Sequence, residues 1–491
     1  MRLNIKRKIL ELITTIEEGI NYAESNGGEK AKAMFNECIE ALMYLSNIIE
    51  GESKLSIIIE EIIKKSYAAI NMTNDNNLLR DAVDSVKISI NKLKNSIINE
   101  VDTQIEVVFM PYKVSMWDSL ESIWREAKDD PECSCRVVPI PYYEKDAKGN
   151  ISELYYEGDK FSKDIKITSY NDYDFEKIEP DIIYIHNPYD QYNILTMVDY
   201  RFFSSNLSKY TDMLVYVPYY ISGSYKDEKE HRIFSVLPGT INATKIIAQS
   251  SVEAKAFIDN GHNPEKILNL GSPKFDSILQ TCEKEHEIPD DLKNIIKDKK
   301  VFLLITTIDD ILSEANWVKD LDEILSHFID DSSSCVIWRP HPLTDITLKT
   351  MRTDFVKGYN ELKDKISMYE NIILDTNDQV YSSIMTSDAL ISGNSSVMFE
   401  YAITGKPILS LMRNELIDKK RLYCMDYLGN YFFNSGISIP DFKDMVLNGQ
   451  DPKKEERMKR LKSSVTNIDG TCGRKIHENI KREVLNLNMY L

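Results

Sequence analysis

Apolar residues recur at helical spacing through the first hundred positions of the chain. In several consecutive segments they return every three or four residues, which is the repeat of one helix face. Polar or glycine-containing breaks separate these segments at residues 26–28, 51–53 and 74–77. The pattern predicts an accessory bundle of about four helices over residues 1–100. No cluster in this region suggests chemistry.

A different pattern starts at residue 104, where short apolar strands alternate with helical segments. The predicted strands of a first series lie at 105–111, 136–140, 181–188, 214–218 and 245–249, with a loop or hairpin insertion at 142–173. After a charged stretch at 282–291, the predicted strands of a second series lie at 301–306, 335–338, 371–374, 389–391 and directly after Pro407. One helix is expected from the end of the 301–306 strand to about Phe328.

This alternation predicts an α/β fold in which each parallel sheet is covered on both faces. We expect two facing Rossmann-like domains behind an all-α bundle. The predicted units are the bundle at 1–100, a first Rossmann-like domain at 104–285, a second at 298–470 and a C-terminal helix at 471–491. The length of 491 residues agrees with about three domains of roughly 150 residues.

Composition and charge exclude several classes of protein. The formal net charge of -18 argues against a nucleic-acid partner, because no basic excess is present to neutralise phosphates. No apolar run reaches the ~20 residues of a spanning helix, and acidic residues follow the basic start too soon for a signal peptide. We therefore expect a cytoplasmic protein. Seven scattered cysteines indicate reduced thiols, and no metal site is predicted because no Cys/His spacing resembles a zinc site.

The segment at 387–411 predicts a strand, a polar turn, a helix and a second strand. Backbone N–H groups and the helix dipole at such a turn attract an anion, and Ser395 and Ser396 supply two hydroxyl donors. A phosphate is the predicted ligand. The alternative is an ordinary N-cap, in which these side chains only satisfy the first helix amides.

A second candidate site is the sequence Arg339-Pro340-His341-Pro342. The prolines restrict the backbone on both sides of the imidazole. An arginine fork and an imidazole suit a pyrophosphate whose charge grows as it leaves. The alternative is a locked connection with a structural histidine and a surface arginine.

Several motifs occur in one order along residues 245–485. They are Gly-Ser-Pro-Lys-Phe-Asp at 271–276, Arg-Pro-His-Pro at 339–342, Asp375 with Asp378 and Tyr381, the run from Ser387 through Ser395-Ser396 to Ala402, Lys-Pro-Ile at 406–408 and the Asp-Gly segment at 469–476. As an ordered set they resemble the CDP-glycerol glycerophosphotransferase family of teichoic-acid and capsule polymerases. The resemblance implies a glycosyltransferase-B fold, with the acceptor bound by the first domain and the donor by the second.

The resemblance also implies a reaction. A phospho-polyol such as glycerol phosphate would move from a CDP-linked donor to a hydroxyl of a polymer or glycolipid acceptor in bacterial surface-polymer synthesis, releasing CMP. The donor is a substrate, and no cofactor is implied. The implied donor-binding residues are Arg339, Asn394, Ser395, Ser396, Glu400 (on the ribose) and Lys274 (where the family often has arginine), with His341 as a catalytic pyrophosphate ligand. Residues 1–100 are candidates for oligomerisation or for peripheral association with the inner face of the cell membrane.

One motif of the family is missing. Members usually carry His-Gly-x-x-x-Lys after a first-domain strand, but residues 214–223 contain no histidine. His186 is the first candidate for the missing base, with Asp190 and His231 as alternatives. Two other functions stay open: an enzyme like UDP-N-acetylglucosamine 2-epimerase or another nucleotide-sugar glycosyltransferase, and a non-catalytic nucleotide-binding assembly protein.

Overall fold

A computed structural model describes most of the chain. The described residues are 1–49, 53–145, 149–222, 228–283, 290–377, 380–393, 395–411, 430–433 and 436–487. Within these ranges, no helix combines the length and the apolar character needed to cross a membrane.

The described helices and strands follow the chain in this order. The helices are α1 (Leu3–Asn26), α2 (Gly28–Ile48), α3 (Ser53–Ile70), α4 (Asn76–Glu100), α5 (Glu121–Asp129), α6 (Phe175–Ile178), α7 (Ser204–Leu207), α8 (Glu228–Ser235), α9 (Pro238–Asn242), α10 (Ser251–Asp259), α11 (Pro273–Glu283), α12 (Asp290–Ile296), α13 (Ile308–Ser313), α14 (Trp317–Ser326), α15 (Thr344–Met351), α16 (Val356–Ile366), α17 (Tyr381–Thr386), α18 (Val397–Ala402), α19 (Ile439–Leu447), α20 (Lys454–Ser464) and α21 (Cys472–Leu487). The strands are β1 (Ile105–Phe109), β2 (Cys133–Val137), β3 (Tyr142–Lys145), β4 (Ile151–Tyr155), β5 (Ile182–Ile185), β6 (Thr196–Val198), β7 (Met213–Tyr216), β8 (Lys245–Ala248), β9 (Ile267–Asn269), β10 (Lys300–Thr306), β11 (Ser334–Pro340), β12 (Ile372–Leu374), β13 (Ala389–Ser392), β14 (Ile408–Ser410) and β15 (Tyr431–Phe432). A 3-10 helix, η1 (Val114–Ser119), follows β1.

Helices α1–α4 form the predicted N-terminal bundle. The apolar stripe of α1 is buried at Ile9, Ile13, Ile16 and Ile20, and it joins a core shared with the other three helices. These positions lie three or four residues apart, so they share one face of the helix. The all-helical start of the chain is thereby confirmed.

The first sheet has the parallel order β2-β1-β5-β7-β8-β9. The insertion expected at 142–173 contributes the antiparallel pair β3 and β4. The third strand of this sheet, β6, pairs with β3 and comes from beyond the predicted bounds. The prediction for β2 was wrong by several residues, because pairing with β1 starts at Cys133 rather than Arg136. Beyond Val137, the N–H groups of Val138 and Ile140 still donate to the carbonyls of Phe109 and Pro111, but Pro139 lacks an N–H donor and the strand ends.

The second sheet has the parallel order β12-β11-β10-β13-β14-β15. The prediction of a single helix before Phe328 was wrong: α13 and α14 are separate, and α13 begins with a capping box between Thr307 and Asp310. The short edge strands β9 and β15 and the helices α15 and α16 were not predicted from the sequence. Short strands carry little periodic signal.

The C-terminal helix α21 lies on the first sheet although it follows the second sheet along the chain. Its face of Cys472, Ile476, Ile480 and Val484 is buried in the same apolar core as β1 and α5. Its first amides are held by Asp276, whose carboxylate accepts from Cys472 N–H at 3.2 Å and Gly473 N–H at 2.7 Å. The domain limits at 104–285, 298–470 and 471–491 stay a prediction.

Candidate active site

A cavity of about 280 Å³ lies at the carboxyl end of the second sheet. The strand register creates it, because Ile305 of β10 is paired with Arg339 on one side and with Ser392 on the other. The turns after β11 and β13 therefore flank the same strand end. This is the point where the strand order reverses, which is the usual ligand site of a doubly wound sheet. The lining includes Asp118, Lys274, Arg339, His341, Tyr381, Ser395, Ser396 and Glu400.

Arg339 is fixed by an acidic partner. Its Nη1 donates to Asp375 Oδ2 at 2.8 Å, and its Nη2 donates to the Asn377 carbonyl at 2.5 Å. Burial raises the pKa of Asp375, but hydrogen bonds from Ser383, Asn377 and Arg339 outweigh that effect, so the pKa lies below its ordinary value. Asp375 therefore stays ionised and holds the guanidinium at the cavity wall.

The backbone sets the tautomer of His341. Its Nδ1 accepts a hydrogen bond from Leu343 N–H at 3.1 Å, so the neutral ring carries its proton on Nε2. Partial burial lowers the pKa of His341, which favours the neutral ring. His341 is therefore a hydrogen-bond donor, as a pyrophosphate ligand requires.

The serine turn is shaped by a neighbouring carboxylate. A Cβ at Gly393 would lie 2.3 Å from Asp310 Oδ2, so any larger residue where β13 leaves the sheet would force the Asp310 carboxylate to move. Ser395 Oγ accepts from Val397 N–H at 3.2 Å, and Ser396 is exposed. Because α18 has only six residues, the dipole invoked from the sequence contributes less than the side chains. Asn394, another predicted ligand, lies outside the described residues.

The first half of the chain contributes Asp118 from η1. Asp118 Oδ2 accepts from Lys274 Nζ at 2.6 Å and from Tyr381 Oη at 2.8 Å. Burial lowers the pKa of Lys274, but Asp118 and Glu400 outweigh this effect and raise the pKa overall. Lys274 therefore stays protonated and positively charged. Asp118 was not predicted from the sequence, because it belongs to no recognisable motif.

Glu400 lies in the cavity wall with 7% of its surface exposed. Burial, together with the like charge of Asp118, raises its pKa to about 7, although Lys274 opposes this shift. Glu400 therefore changes its protonation state near neutral pH, whereas an ordinary glutamate is fully ionised there.

None of the three candidate bases lines the cavity. His186 is fully buried: its Nε2 accepts from Tyr112 N–H, and its Nδ1 lies 3.1 Å from both Met116 O and Ser119 Oγ. Burial lowers the pKa of His186 to about 4. This geometry gives His186 a structural task, namely holding η1 on the sheet, and its role as a base stays a prediction without geometric support.

The two alternatives are equally enclosed. Asp190 accepts both the N–H and the hydroxyl of Ser204, at 2.9 and 2.6 Å. His231 is fully buried and packs edge-on against Phe257.

Two doubly wound domains, with a polar cavity at the switch point of the second, define the glycosyltransferase-B class of fold. Solved structures of this class are similar. One is described as a UDP-N-acetylglucosamine 2-epimerase of Listeria monocytogenes (TM-score 0.53, 14% identity, covering 78% of this chain and 97% of that one). Another is a variant of the wall teichoic acid polymerase TagF soaked with CDPG (TM-score 0.50, 16% identity, covering 87% and 98%). At these identities the likeness shows the fold alone.

Sequence comparison is more specific. The model of the family described as CDP-Glycerol:Poly(glycerophosphate) glycerophosphotransferase matches residues 225–480, just over half of the chain, and the chain belongs to this family. A relative, the teichoic acid poly(glycerol phosphate) polymerase of Staphylococcus epidermidis, is 29% identical over 154 residues. That match covers 29% of this chain and 19% of the relative, so the chain aligns with only part of the longer protein.

Proposed function

We propose that this protein transfers a phospho-polyol, such as glycerol phosphate, from a CDP-linked donor to an acceptor hydroxyl and releases CMP. The observation that carries the proposal is the convergence of Arg339, His341, Ser395, Ser396 and Lys274 on one cavity. Two cations, a neutral imidazole donor and two hydroxyls form a site for a pyrophosphate. Family membership supports a CDP-linked donor.

The chemistry follows from this arrangement. The acceptor oxygen attacks the distal phosphorus, its O–H bond breaks, and the bond from that phosphorus to the bridging oxygen of CMP breaks with its electron pair staying on CMP. Negative charge therefore grows on the leaving phosphate. Arg339 and His341 Nε2–H would stabilise that charge, because preorganised donors act most strongly where charge develops. Glu400 is assigned to the ribose hydroxyls of the donor.

The likeness to epimerases concerns the fold, and one fold hosts many reactions. We further propose that the acceptor is a surface polymer or its glycolipid precursor. An acceptor of that kind would bring the protein to the inner face of the cell membrane, with residues 1–100 as the candidate contact.

The experiment has two parts. Calorimetric titration of CDP-glycerol, CDP-ribitol and UDP-N-acetylglucosamine into the wild type tests the donor class, and CMP release with and without acceptor tests transfer. We expect selective binding of a CDP-linked polyol that weakens at least about tenfold in Ser395→Ala/Ser396→Ala, the change produced by losing hydrogen bonds worth about 1.4 kcal/mol.

The matched control is Ser463→Ala/Ser464→Ala, which alters another Ser-Ser pair at the end of α20, outside the cavity. Preference of the wild type for the UDP-sugar, or equal binding by both double variants, would contradict the proposal.

A further inference from the structure

The cavity of about 280 Å³ that contains Arg339 and His341 is called the donor cavity below. A second cavity, of about 620 Å³, adjoins it. Its walls come from η1, α5 and the segment 160–165 on one side, and from α11 and α17 on the other. Among the described residues, the two cavities share Ser115, Asp118 and Tyr381. A group bound in the larger cavity would therefore meet the donor at Asp118.

Some buried polar atoms of residues that line this larger cavity have no hydrogen-bond partner among the described residues. Trp117 lines it and is 6% exposed, yet its indole Nε1–H has no hydrogen-bond acceptor within the described part of the chain. Asp118 Oδ1 and Arg125 Nε, from two other lining residues, are unpaired in the same sense. Leaving a buried donor or acceptor unsatisfied costs about 1–3 kcal/mol, so the wall of this cavity carries hydrogen-bonding capacity that the described protein groups do not use.

The charges of the lining indicate the chemistry of that ligand. The described lining residues include three carboxylates and two cations: Asp118, Glu121, Asp164, Arg125 and Lys160. Arg125 is already paired with Glu121. A phosphorylated group would face a net negative wall, whereas an uncharged sugar or polyol would find both donors and acceptors.

Aromatic surface adds to this match. Trp117 and Phe161 both line the cavity and pack edge-to-face with centroids 5.6 Å apart. They give the cavity an apolar wall beside its polar groups, the usual composition of a small-molecule site.

We propose that the larger cavity binds the acceptor through an uncharged, polyhydroxylated end group, and that Asp118 accepts the proton of the attacking hydroxyl. This inference rests on the proposed function. Asp118 is the only carboxylate that lines both cavities in the described ranges, and its Oδ1 retains the capacity to accept a hydrogen bond. In the step, the acceptor O–H proton moves to the Asp118 carboxylate as the new P–O bond forms and CMP departs with the electron pair of the broken bond.

The first test uses CMP release from CDP-glycerol with glycerol, an N-acetylglucosamine disaccharide or glycerol 3-phosphate as acceptor probes. We expect the uncharged probes to support faster release than glycerol 3-phosphate. Trp117→Phe keeps an aromatic side chain, although a smaller one, and removes the indole N–H donor. It should therefore raise the acceptor KM about tenfold, as expected for one lost hydrogen bond, and leave the Kd for CDP-glycerol unchanged. Trp317→Phe, at a tryptophan buried in the second half, is the matched control.

The second test is Asp118→Asn. We expect kcat to fall by about 10²–10⁴, the range for loss of a general base. The Kd for CDP-glycerol should change less than the rate. The pH profile of kcat should no longer show the dependence on a catalytic base. Asp388→Asn disrupts another lysine–aspartate pair, with Lys300 at 2.9 Å, and should leave all values unchanged.

The outcomes distinguish a failure of the proposed function from a failure of this inference. A wild-type protein that binds no CDP-linked polyol overturns the proposed function and this inference with it. Three results would overturn this inference alone, provided that the wild type turns over the CDP-linked donor. They are an unchanged acceptor KM in Trp117→Phe, an unchanged kcat in Asp118→Asn, and a preference for the phosphorylated acceptor. If Asp118→Asn does not fold, the Trp117→Phe and acceptor-class results still decide.

Discussion

The two halves of the molecule use their switch points in opposite ways. In the second sheet the order reverses between β10 and β13, and the turns around that point open into a cavity lined by Arg339 and His341. In the first sheet it reverses between β1 and β5, and there Tyr112 N–H donates to His186 Nε2 at 3.1 Å across the strand ends. The crevice of the second sheet is available to a ligand, and we call it the open switch point. The crevice of the first sheet is filled by the protein's own side chains, and we call it the filled switch point.

A histidine at the end of a strand can therefore serve either a binding site or the packing of the protein. His341 is exposed and keeps Nε2–H for the cavity, whereas His186 is fully buried with both nitrogens engaged. What the first half offers the site is Asp118, on the 3-10 helix that His186 holds. We therefore infer that His186 supports a residue at the site rather than acting there itself.

The largest expected effect is at the open switch point. His341→Ala should lower transfer by about 10²–10³, as expected for losing one preorganised donor to developing charge. The exposure of the ring predicts a melting temperature close to that of the wild type. Rates and thermal unfolding measured on the same preparation check both, and near-normal turnover would remove His341 from the site.

At the filled switch point, substitutions should lower stability more than they lower the rate of transfer. His186→Leu leaves Tyr112 N–H buried without an acceptor and should lower the free energy of unfolding by about 2–3 kcal/mol, measured by denaturant titration. His186→Gln keeps one donor and one acceptor but cannot act as a base near neutral pH. Substantial transfer by His186→Gln is expected, and a loss of about a hundredfold or more with a stable fold would restore His186 as the base.

The raised pKa of Glu400, at the open switch point, predicts that the free energy of unfolding depends on pH. Because its folded pKa is about 7, above the ordinary value of 4.5, the folded state favours the protonated form. That stabilisation is fully present below pH 4.5 and is lost as the pH rises through 7. Wild type should therefore lose about 2–3 kcal/mol more stability than Glu400→Gln between pH 5 and 8, checked by urea unfolding. Parallel pH curves for the two proteins would contradict this.

The smallest expected effect concerns the C-terminal helix that covers the first half. Asp130 accepts from Lys481 Nζ at 2.6 Å and His477 Nε2 at 2.9 Å on α21. Burial raises the pKa of Asp130, but these partners outweigh it and the pKa lies well below its ordinary value. Asp130→Asn should cost about 1 kcal/mol at neutral pH, and the difference should vanish as acid protonates Asp130. A deficit that persists unchanged at pH 2 would indicate lost packing instead.

The sequence determined more of the second half than of the first. Apolar periodicity determines helices and buried strands locally, so the bundle, the alternation and most strands could be predicted. The motifs at 339–342 and 392–396 were recognisable because phosphate chemistry needs particular residue types at adjacent positions. Parallel pairing then brought them together, as Ile305 between Arg339 and Ser392 shows.

Tertiary structure alone decided the remaining features. The contact of Asp118 with Tyr381 joins residues 263 positions apart. Tyr381 belongs to one of the ordered motifs, but no local pattern marks Asp118 as its partner. Whether His186 or His341 faces a cavity depends on how the segments after each strand pack, which is a property of the assembled core. Local spacing specifies which residues share a face, but burial, unpaired atoms and the meeting of two cavities arise only when distant segments exclude water together.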